Sequence, residues 1–271
     1  MANSLSLRLD KEEPLWFPGL AVELVADFVS RNQVQLILAE QYGTSRWLAG
    51  DAKPPAPDGG DIRFGPHLSH IEYLPAETAA GFEGLNFADS RDPQIHKLIQ
   101  AAADVLKHVP SMTENVGRVV KAIHPLQSLK DHDVSHSTPE LPFSIFISIP
   151  KKDERDALLR VTESIIHESM HLQLTFIDSI EPLAVDDRVS GYSPWKDEFR
   201  PVTGLLHGLY VFAVIHQALG ILAGVRSEWS QYCHKRSAAI EHEIASLSET
   251  PEGLSEIGID LWRRCLEIIT A

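Results

Sequence analysis

The segment that begins at Asp153 most constrains the fold, because its apolar residues recur at helical spacing over several turns. Leu158, Leu159, Ile165 and Ile166 belong to this stripe. A recurrence of apolar residues every three or four positions predicts one long helix with a buried face. Such a helix needs other elements to cover it, so the segment indicates a chain made mainly of packed helices.

The rest of the chain completes a mainly α pattern with a few short β-strands. A capping pair, Asp92 or Ser90 followed by Pro93, predicts a helix start. The sequence FSIFISI at 143–149 is aromatic and β-branched, which predicts a buried strand. Further helices are predicted at 20–42, 111–123, 201–222, 226–247 and 251–269, a short edge strand at 5–9, and irregular segments at 52–66, 130–142 and 181–199.

The motif His167-Glu168-Ser169-Met170-His171 lies in the middle of the long predicted helix. Two histidines four residues apart stand on one helix face, one turn apart, so both imidazoles can reach the same metal ion. Glu168 lies beside them and can orient or deprotonate a metal-bound water. The strand FSIFISI ahead of this helix resembles the zincin arrangement, in which an edge strand lines the cleft beside the metal helix.

A metal ion needs a third protein ligand. The residues after His171 do not continue the HExxHxxGxxH pattern of metzincins, and Glu198 lies in a predicted loop. We favour His207, on the helix that starts at Pro201, with His216 as the alternative. The small residues Thr203, Gly204, Gly208 and Ala213 around His207 would let that helix approach the HExxH helix closely.

Composition restricts the partners. The chain has 271 residues and a formal net charge of −14, which disfavours nucleic acid and anionic membranes. No apolar run of signal-peptide length opens the chain, and the most apolar window, 205–225, is broken by His207 and His216. We therefore expect a cytoplasmic protein, and Cys233 and Cys265 fit structural roles in a reducing compartment.

Three pieces of sequence together resemble a known family. These are the HExxH helix, the segment YSPWKDEFRP at 192–201 and the segment LHGLYVF at 206–212. The chain is similar over 143–217 to bacterial HExxH-motif proteins that occur with clusters making ribosomally synthesised, post-translationally modified peptides (RiPPs). Family members carry a W-(R/K)-x-x-x-R-P segment ahead of an L-H-G helix, matched here by Trp195, Lys196, Arg200, Pro201 and Leu206-His207-Gly208.

The resemblance implies a peptide β-hydroxylase that uses Fe(II) and 2-oxoglutarate. It implies His167, His171 and His207 as iron ligands and Arg200 as the anchor of the distal carboxylate of 2-oxoglutarate. A guanidinium suits that carboxylate, since it can bind both oxygens at once. Spacing alone does not choose iron over zinc, because imidazole binds both.

Five other residues are candidates for the site. His136 and Ser137, just before the predicted strand, would contact the substrate from a lid, or belong to a solvated loop. Trp195 would pack its loop or form a wall of the site. Tyr210, three residues after His207, would donate a hydrogen bond into the site near the cofactor, and Glu163 would support an imidazole.

Three functions follow as alternatives. The first is an Fe(II)/2-oxoglutarate-dependent oxidoreductase, a dioxygenase that hydroxylates β-carbons in a precursor peptide. The second is a zinc peptidase in which Glu168 is the general base and FSIFISI pairs with substrate. The third is a peptide-binding scaffold with a structural metal site. In each case we expect a single domain over 1–271, divisible into an N-terminal helical lobe at 1–130 that includes substrate or leader recognition and a metal-binding lobe at 131–271.

Overall fold

The protein combines seven helices and seven strands in the part of the chain that the structure describes. This computed structural model describes residues 14–31, 59–74, 79–82, 84–88, 92–128, 133–139, 141–151, 154–247 and 249–270. The fold is mixed α and β with helix predominating, as the sequence predicts. The strand predicted at 5–9 and the end of the helix predicted at 20–42 lie outside the described residues.

The helices and strands alternate irregularly along the chain. The helices are α1 (Ala21–Arg31), α2 (Pro93–Leu106), α3 (Met112–Val119), α4 (Ala157–Ile180), α5 (Val202–Ala223), α6 (Ser227–Ile244) and α7 (Glu256–Thr270). The strands are β1 (Asp61–Phe64), β2 (His67–Ile71), β3 (Ala122–Gln127), β4 (Ser135–His136), β5 (Ser144–Ile149), β6 (Ser190–Ser193) and β7 (Glu198–Pro201).

Five strands form one sheet in the order β1-β2-β3-β5-β4. The pairs β2/β3 and β3/β5 are parallel, whereas β1/β2 and β4/β5 are antiparallel. The prediction that FSIFISI is an edge strand is wrong. The segment is the strand β5, but β3 pairs along all of it and β4 covers Phe146 and Ile147 on its other side. The short strand β4 therefore forms this edge of the sheet.

Four segments predicted to be irregular or helical contain strands instead. The predicted loop at 52–66 contains β1, and the segment 130–142 contains β4. The helix predicted at 111–123 ends at Val119, and the β-branched residues that follow lead into β3. The segment 181–199 contains β6 and the start of β7, an antiparallel hairpin that pairs Gly191 with Arg200.

Helix α4 is the central helix of the molecule. It packs against α1, α2, α5 and the sheet strand β5. Two aromatic contacts join three of these elements: Phe176 of α4 lies 4.5 Å from Phe28 of α1 and 5.0 Å from Phe143 beside β5, measured between ring centroids. Each such pair contributes roughly 0.5–1.5 kcal/mol beyond the area it buries. The HExxH motif therefore sits on a helix that is held in place from several sides.

Helix α5 carries the second part of the predicted site. By length and composition it is the one helix among the described residues that is apolar enough to cross a membrane, but two thirds of its apolar window is buried inside the protein. Its neighbours are α4, α6 and α7. The main hydrophobic core runs from Leu15 near the first described residues to Ile269 in α7, so one core supports both helices that carry the histidines.

Candidate metal and substrate site

His167 and His171 lie side by side on one face of α4, as their spacing predicts. Their Nε2 atoms are 3.2 Å apart, their ring centroids are 4.9 Å apart, and the rings are inclined by 64°. The inclination lets the two nitrogens converge on a shared point instead of facing each other along one line. This arrangement can bind one metal ion through both Nε2 atoms.

His207, on α5, contacts this pair through a different atom of His171. The Nδ1 atoms of His171 and His207 are 3.3 Å apart, the centroids are 5.6 Å apart, and the rings are within 16° of coplanar. The centroid separation is the Nδ1–Nδ1 distance plus about one ring radius on each side. The two Nδ1 atoms therefore point at each other. This is the geometry of an in-plane hydrogen bond to the second nitrogen of a ligating imidazole.

Consequently, no three His, Cys, Asp or Glu side chains among the described residues are arranged to hold one ion in common. His171 faces His167 with Nε2 and His207 with Nδ1. In this arrangement His207 orients His171, and its side chain must rotate before it can join the other two as a ligand. The two histidines of α4 fit an iron or zinc ion as they stand.

Burial keeps all three imidazoles neutral at physiological pH. It lowers the pKa of His167 to about 4 and that of His207 to about 4, and it lowers the pKa of His171 well below its ordinary value. Nearby positive charges lower these pKa values further, Arg236 and Lys196 acting on His167 and Arg200 acting on His171 and His207. A neutral imidazole has a lone pair available for a metal ion without first losing a proton.

Glu168 lies beneath the histidines, with one carboxylate oxygen 3.8 Å from Nε2 of His167. Only 2% of the residue is exposed. Burial raises the pKa of Glu168 to about 7, and hydrogen bonds from the hydroxyls of Ser135 and Ser137, together with the charge of Lys196, oppose that increase. Glu168 can therefore hold or release a proton near neutral pH.

Strand β4 supplies the two serines that contact Glu168. Alternation along an extended segment points Ser135 and Ser137 to one face of the sheet and His136 to the other. The ring of His136 lies on that other face, with its centroid 6.0 Å from that of Phe146. Ser137 is thus beside Glu168, whereas the ring of His136 lies on the opposite face of the sheet, from which its charge still acts on His171.

An ion pair holds β4 in this position. Arg160 of α4 donates hydrogen bonds from Nε and Nη2 to the two carboxylate oxygens of Asp133, at 2.7 and 2.6 Å. Asp133 stands two residues before Ser135, so the pair fastens the start of the strand to the helix that carries Glu168. Ser135 was not predicted from the sequence as a site residue. Its spacing of two residues from Ser137, which places both on one face of a strand, is the signal that could have identified it.

The hairpin β6–β7 forms a second wall and carries Trp195 in its turn. The indole lies directly on Gly208 of α5: a Cβ atom added to Gly208 would be 2.2 Å from Cζ2 of Trp195. The indole also meets the ring of Phe212 edge-on, with centroids 5.6 Å apart, and Phe212 in turn lies 6.0 Å from the ring of His167. Trp195 therefore packs its turn and walls the site as well.

Arg200, on β7, lies against the start of α5. Its guanidinium passes over Gly204, where a Cβ atom would be 3.6 Å from Nε. Its ion pair with Glu198 is long, at 3.6 Å between Nε and Oε1. A cation this close to two of the histidines, and weakly paired, is available to an anionic ligand.

The structure places Tyr210 away from the histidines. Its hydroxyl donates to the carbonyl oxygen of Leu15 at 2.8 Å and accepts from Nε2 of Gln173 at 2.8 Å. Gln173 is on the opposite face of α4 from His171, because two residues correspond to about 200° around a helix. Tyr210 thus joins three elements of the core, and its hydroxyl does not reach the cofactor region that the sequence analysis assigned to it.

Two weaker candidates also have other partners. His216 pairs with Glu241 of α6, at 2.9 Å between Nε2 and Oε1. Glu163 accepts a hydrogen bond from Tyr232 at 2.6 Å and one from Arg236 at 2.7 Å, and supports no imidazole directly. Arg236 is a site residue that was not predicted from the sequence. It lies four residues after Tyr232, which places both on one face of α6, and this spacing is the signal that could have identified it.

Comparison with known proteins adds no relative: no family model matches the chain, and no curated protein matches it either. The function is therefore inferred from the residues of the site.

Proposed function

We propose that the protein is an Fe(II)- and 2-oxoglutarate-dependent oxidoreductase that hydroxylates β-carbons in a ribosomally synthesised precursor peptide. The observation that carries the proposal is a pair of histidines that can share one metal ion, with the guanidinium of Arg200 acting on it. His167 and His171 present Nε2 atoms 3.2 Å apart, and the positive charge of Arg200 acts on His171. The resemblance over 143–217 supports the choice of reaction, and the site lies in a zincin-like setting of HExxH helix and edge strand, with β4 as that strand.

Each residue then has a defined task. His167 and His171 would hold the iron, and His207 would orient His171 or turn to become the third ligand that the resemblance implies. Arg200 would bind the distal carboxylate of 2-oxoglutarate. Iron, 2-oxoglutarate and dioxygen together would supply the oxidising chemistry of the hydroxylation. Phe212, packed against Trp195, would cover one side of the His167 ring.

Glu168 is placed to manage a proton rather than to bind metal. It is held by the hydroxyls of Ser135 and Ser137, and burial raises its pKa to about 7. In its ionised form it accepts a hydrogen bond from a ligand or water near His167, and in its protonated form it donates one.

The same carboxylate favours a second candidate, a zinc peptidase. A carboxylate whose pKa lies near neutrality, 3.8 Å from a ligating nitrogen, is suited to deprotonate a metal-bound water. Against this candidate, a peptidase has no co-substrate carboxylate for Arg200 to bind.

The deciding experiment uses protein purified without oxygen and reconstituted with Fe(II). Addition of 2-oxoglutarate should produce the weak visible charge-transfer band of its iron chelate. Arg200→Gln should require a higher 2-oxoglutarate concentration for the same band, and Arg226→Gln, an exposed arginine that pairs with Glu228, serves as the matched control. Absence of the band in the wild type, with tight zinc binding instead, would favour the peptidase.

A further inference from the structure

Positive charges gather at the histidines of an otherwise acidic chain. The chain has 24 Lys and Arg against 38 Asp and Glu, yet three cations act on the cluster. Arg200 acts on His171 and on His207, and at His207 the charges of Asp178 and Asp187 oppose it. Lys196 and Arg236 act on His167. The cations therefore occupy two different sides of the site, and 2-oxoglutarate engages only the side of Arg200.

Arg236 is held rigidly on the His167 side. Its Nε donates to Oε1 of Glu163 at 2.7 Å, while the hydroxyl of Tyr232 donates to the other oxygen of the same carboxylate at 2.6 Å. Its guanidinium lies over the ring of Phe212, 5.5 Å from the centroid, and the same ring meets His167 edge-on. A guanidinium fixed in this way loses little conformational entropy when it binds a ligand.

The rest of the guanidinium is available for binding. Only its Nε hydrogen bonds to Glu163, and no hydrogen bond from its two terminal nitrogens occurs within the described ranges. The side chain is 27% exposed, so a ligand can reach it. Terminal guanidinium nitrogens form the planar fork that binds both oxygens of a carboxylate.

Lys196 adds a second positive charge on this side. It is exposed in the hairpin turn and acts on both His167 and Glu168, whereas Glu163 and Glu243 act on Arg236. Two cations of this kind can bind a single carboxylate between them. A polyanion would be opposed by the net charge of −14 of the whole chain.

We propose that Arg236 and Lys196 bind the side-chain carboxylate of an acidic residue in the substrate peptide, on the His167 side of the cluster. The proposal rests on the proposed function in one respect, that the substrate is a peptide. It assigns the residue entering the site to the class of Asp and Glu, and it makes Arg236 the residue that selects it.

The test measures binding of synthetic peptide pools. Fluorescein-labelled hexapeptides with randomised flanks carry Asp, Asn or Lys at one fixed central position. Fluorescence anisotropy is recorded without oxygen on protein loaded with Fe(II) and 2-oxoglutarate, so that no turnover occurs. Asp and Asn have almost the same shape, so their difference isolates the carboxylate charge.

We expect the Asp pool to bind wild-type protein roughly tenfold more tightly than the Asn pool, the effect of one charge-assisted contact. Arg236→Gln should remove most of this preference and leave the Asn pool unaffected, and Lys196→Gln should reduce it in part. Arg226→Gln should retain it. Because Arg236→Gln leaves Glu163 without its ion pair, the double variant Glu163→Gln/Arg236→Gln accompanies it and removes both charges together.

Equal affinities of the Asp and Asn pools for wild-type protein, at any level including none, overturn the proposal. A preference that persists in the folded Arg236 variants overturns it as well. The iron–2-oxoglutarate band is recorded on the same samples. A band without an Asp preference refutes the carboxylate site alone, whereas absence of the band refutes the proposed reaction and leaves the peptide comparison to decide the site independently.

Discussion

The contact between Trp195 and Gly208 yields the sharpest prediction about the architecture of the site. A Cβ atom at Gly208 would lie 2.2, 2.4 and 2.7 Å from Cζ2, Cε2 and Nε1 of the indole, so Gly208→Ala forces the ring to move. Gly220, on the same helix α5, has nothing within 4 Å of an added Cβ. The pair provides one substitution that clashes and a matched one that does not.

Both variants replace a helical glycine by alanine, but only Gly208→Ala places the new methyl group against another side chain. Replacing a helical glycine by alanine stabilises by about 0.5–1 kcal/mol, which Gly220→Ala should show in full. Overpacking costs about 1–3 kcal/mol. Gly208→Ala should therefore have a free energy of unfolding about 1–3 kcal/mol below that of Gly220→Ala. Because Trp195 and Arg200 belong to the same hairpin, displacing the indole should also weaken 2-oxoglutarate binding in the Gly208 variant.

Urea unfolding followed by circular dichroism measures the first quantity, and titration of the iron–2-oxoglutarate band measures the second. The double variant Gly208→Ala/Trp195→Leu should recover part of the stability, because it removes the ring that the methyl group meets. Equal stability of Gly208→Ala and Gly220→Ala, with equal 2-oxoglutarate affinity, would refute the placement of Trp195.

Three further predictions address the polar groups. His207→Ala should lower metal affinity roughly 10–100-fold, because it removes a contact to a ligating imidazole. In a competition titration this loss should be smaller than that of His167→Ala. Equal losses would instead make His207 the third ligand. Tyr210→Phe should lower the free energy of unfolding by about 1–3 kcal/mol and leave 2-oxoglutarate affinity unchanged; a weaker affinity would return that hydroxyl to the site. In metal-free protein, the pKa of Glu168 is raised from 4.5 to about 7, so the folded state binds the extra proton and wild-type stability falls as pH rises through this window. Glu168→Gln should gain relative to wild type by about 3 kcal/mol between pH 4.5 and 7 in urea titrations, and a pH-independent difference would contradict the raised pKa.

The local parts of the fold were predictable because their signals are local. The helix cap at Asp92 is present, with its Oδ1 accepting from the backbone N–H of Gln94 at 2.8 Å, and the stripe from Leu158 to Leu172 belongs to the single helix α4. The position of β5 inside the sheet was not predictable in this way. It depends on β4, whose two residues are too few to show a period of their own.

The candidate site likewise has one part that local sequence signals predict and one part that depends on tertiary packing. The proximity of His167 and His171 follows from helix geometry alone, whereas the position of Arg236 depends on how α6 packs against α5. Its neighbours along the same helix have the pattern of a solvated face: His234, Glu241, His242 and Glu243. Only the pairing of Arg236 with Glu163 across two helices, 73 positions apart in sequence, reveals its place beside His167.

Burial affects the protonation of both the histidines and Glu168. Burial and three adjacent cations keep the imidazoles neutral, so at neutral pH a metal ion meets ligands that have no proton to lose. The same burial favours the protonated form of Glu168 while the metal is absent. A divalent ion on His167 places positive charge within a few ångströms of that carboxylate and lowers its pKa. Metal binding should therefore release a proton near pH 7, and that proton comes from Glu168 and from none of the histidines.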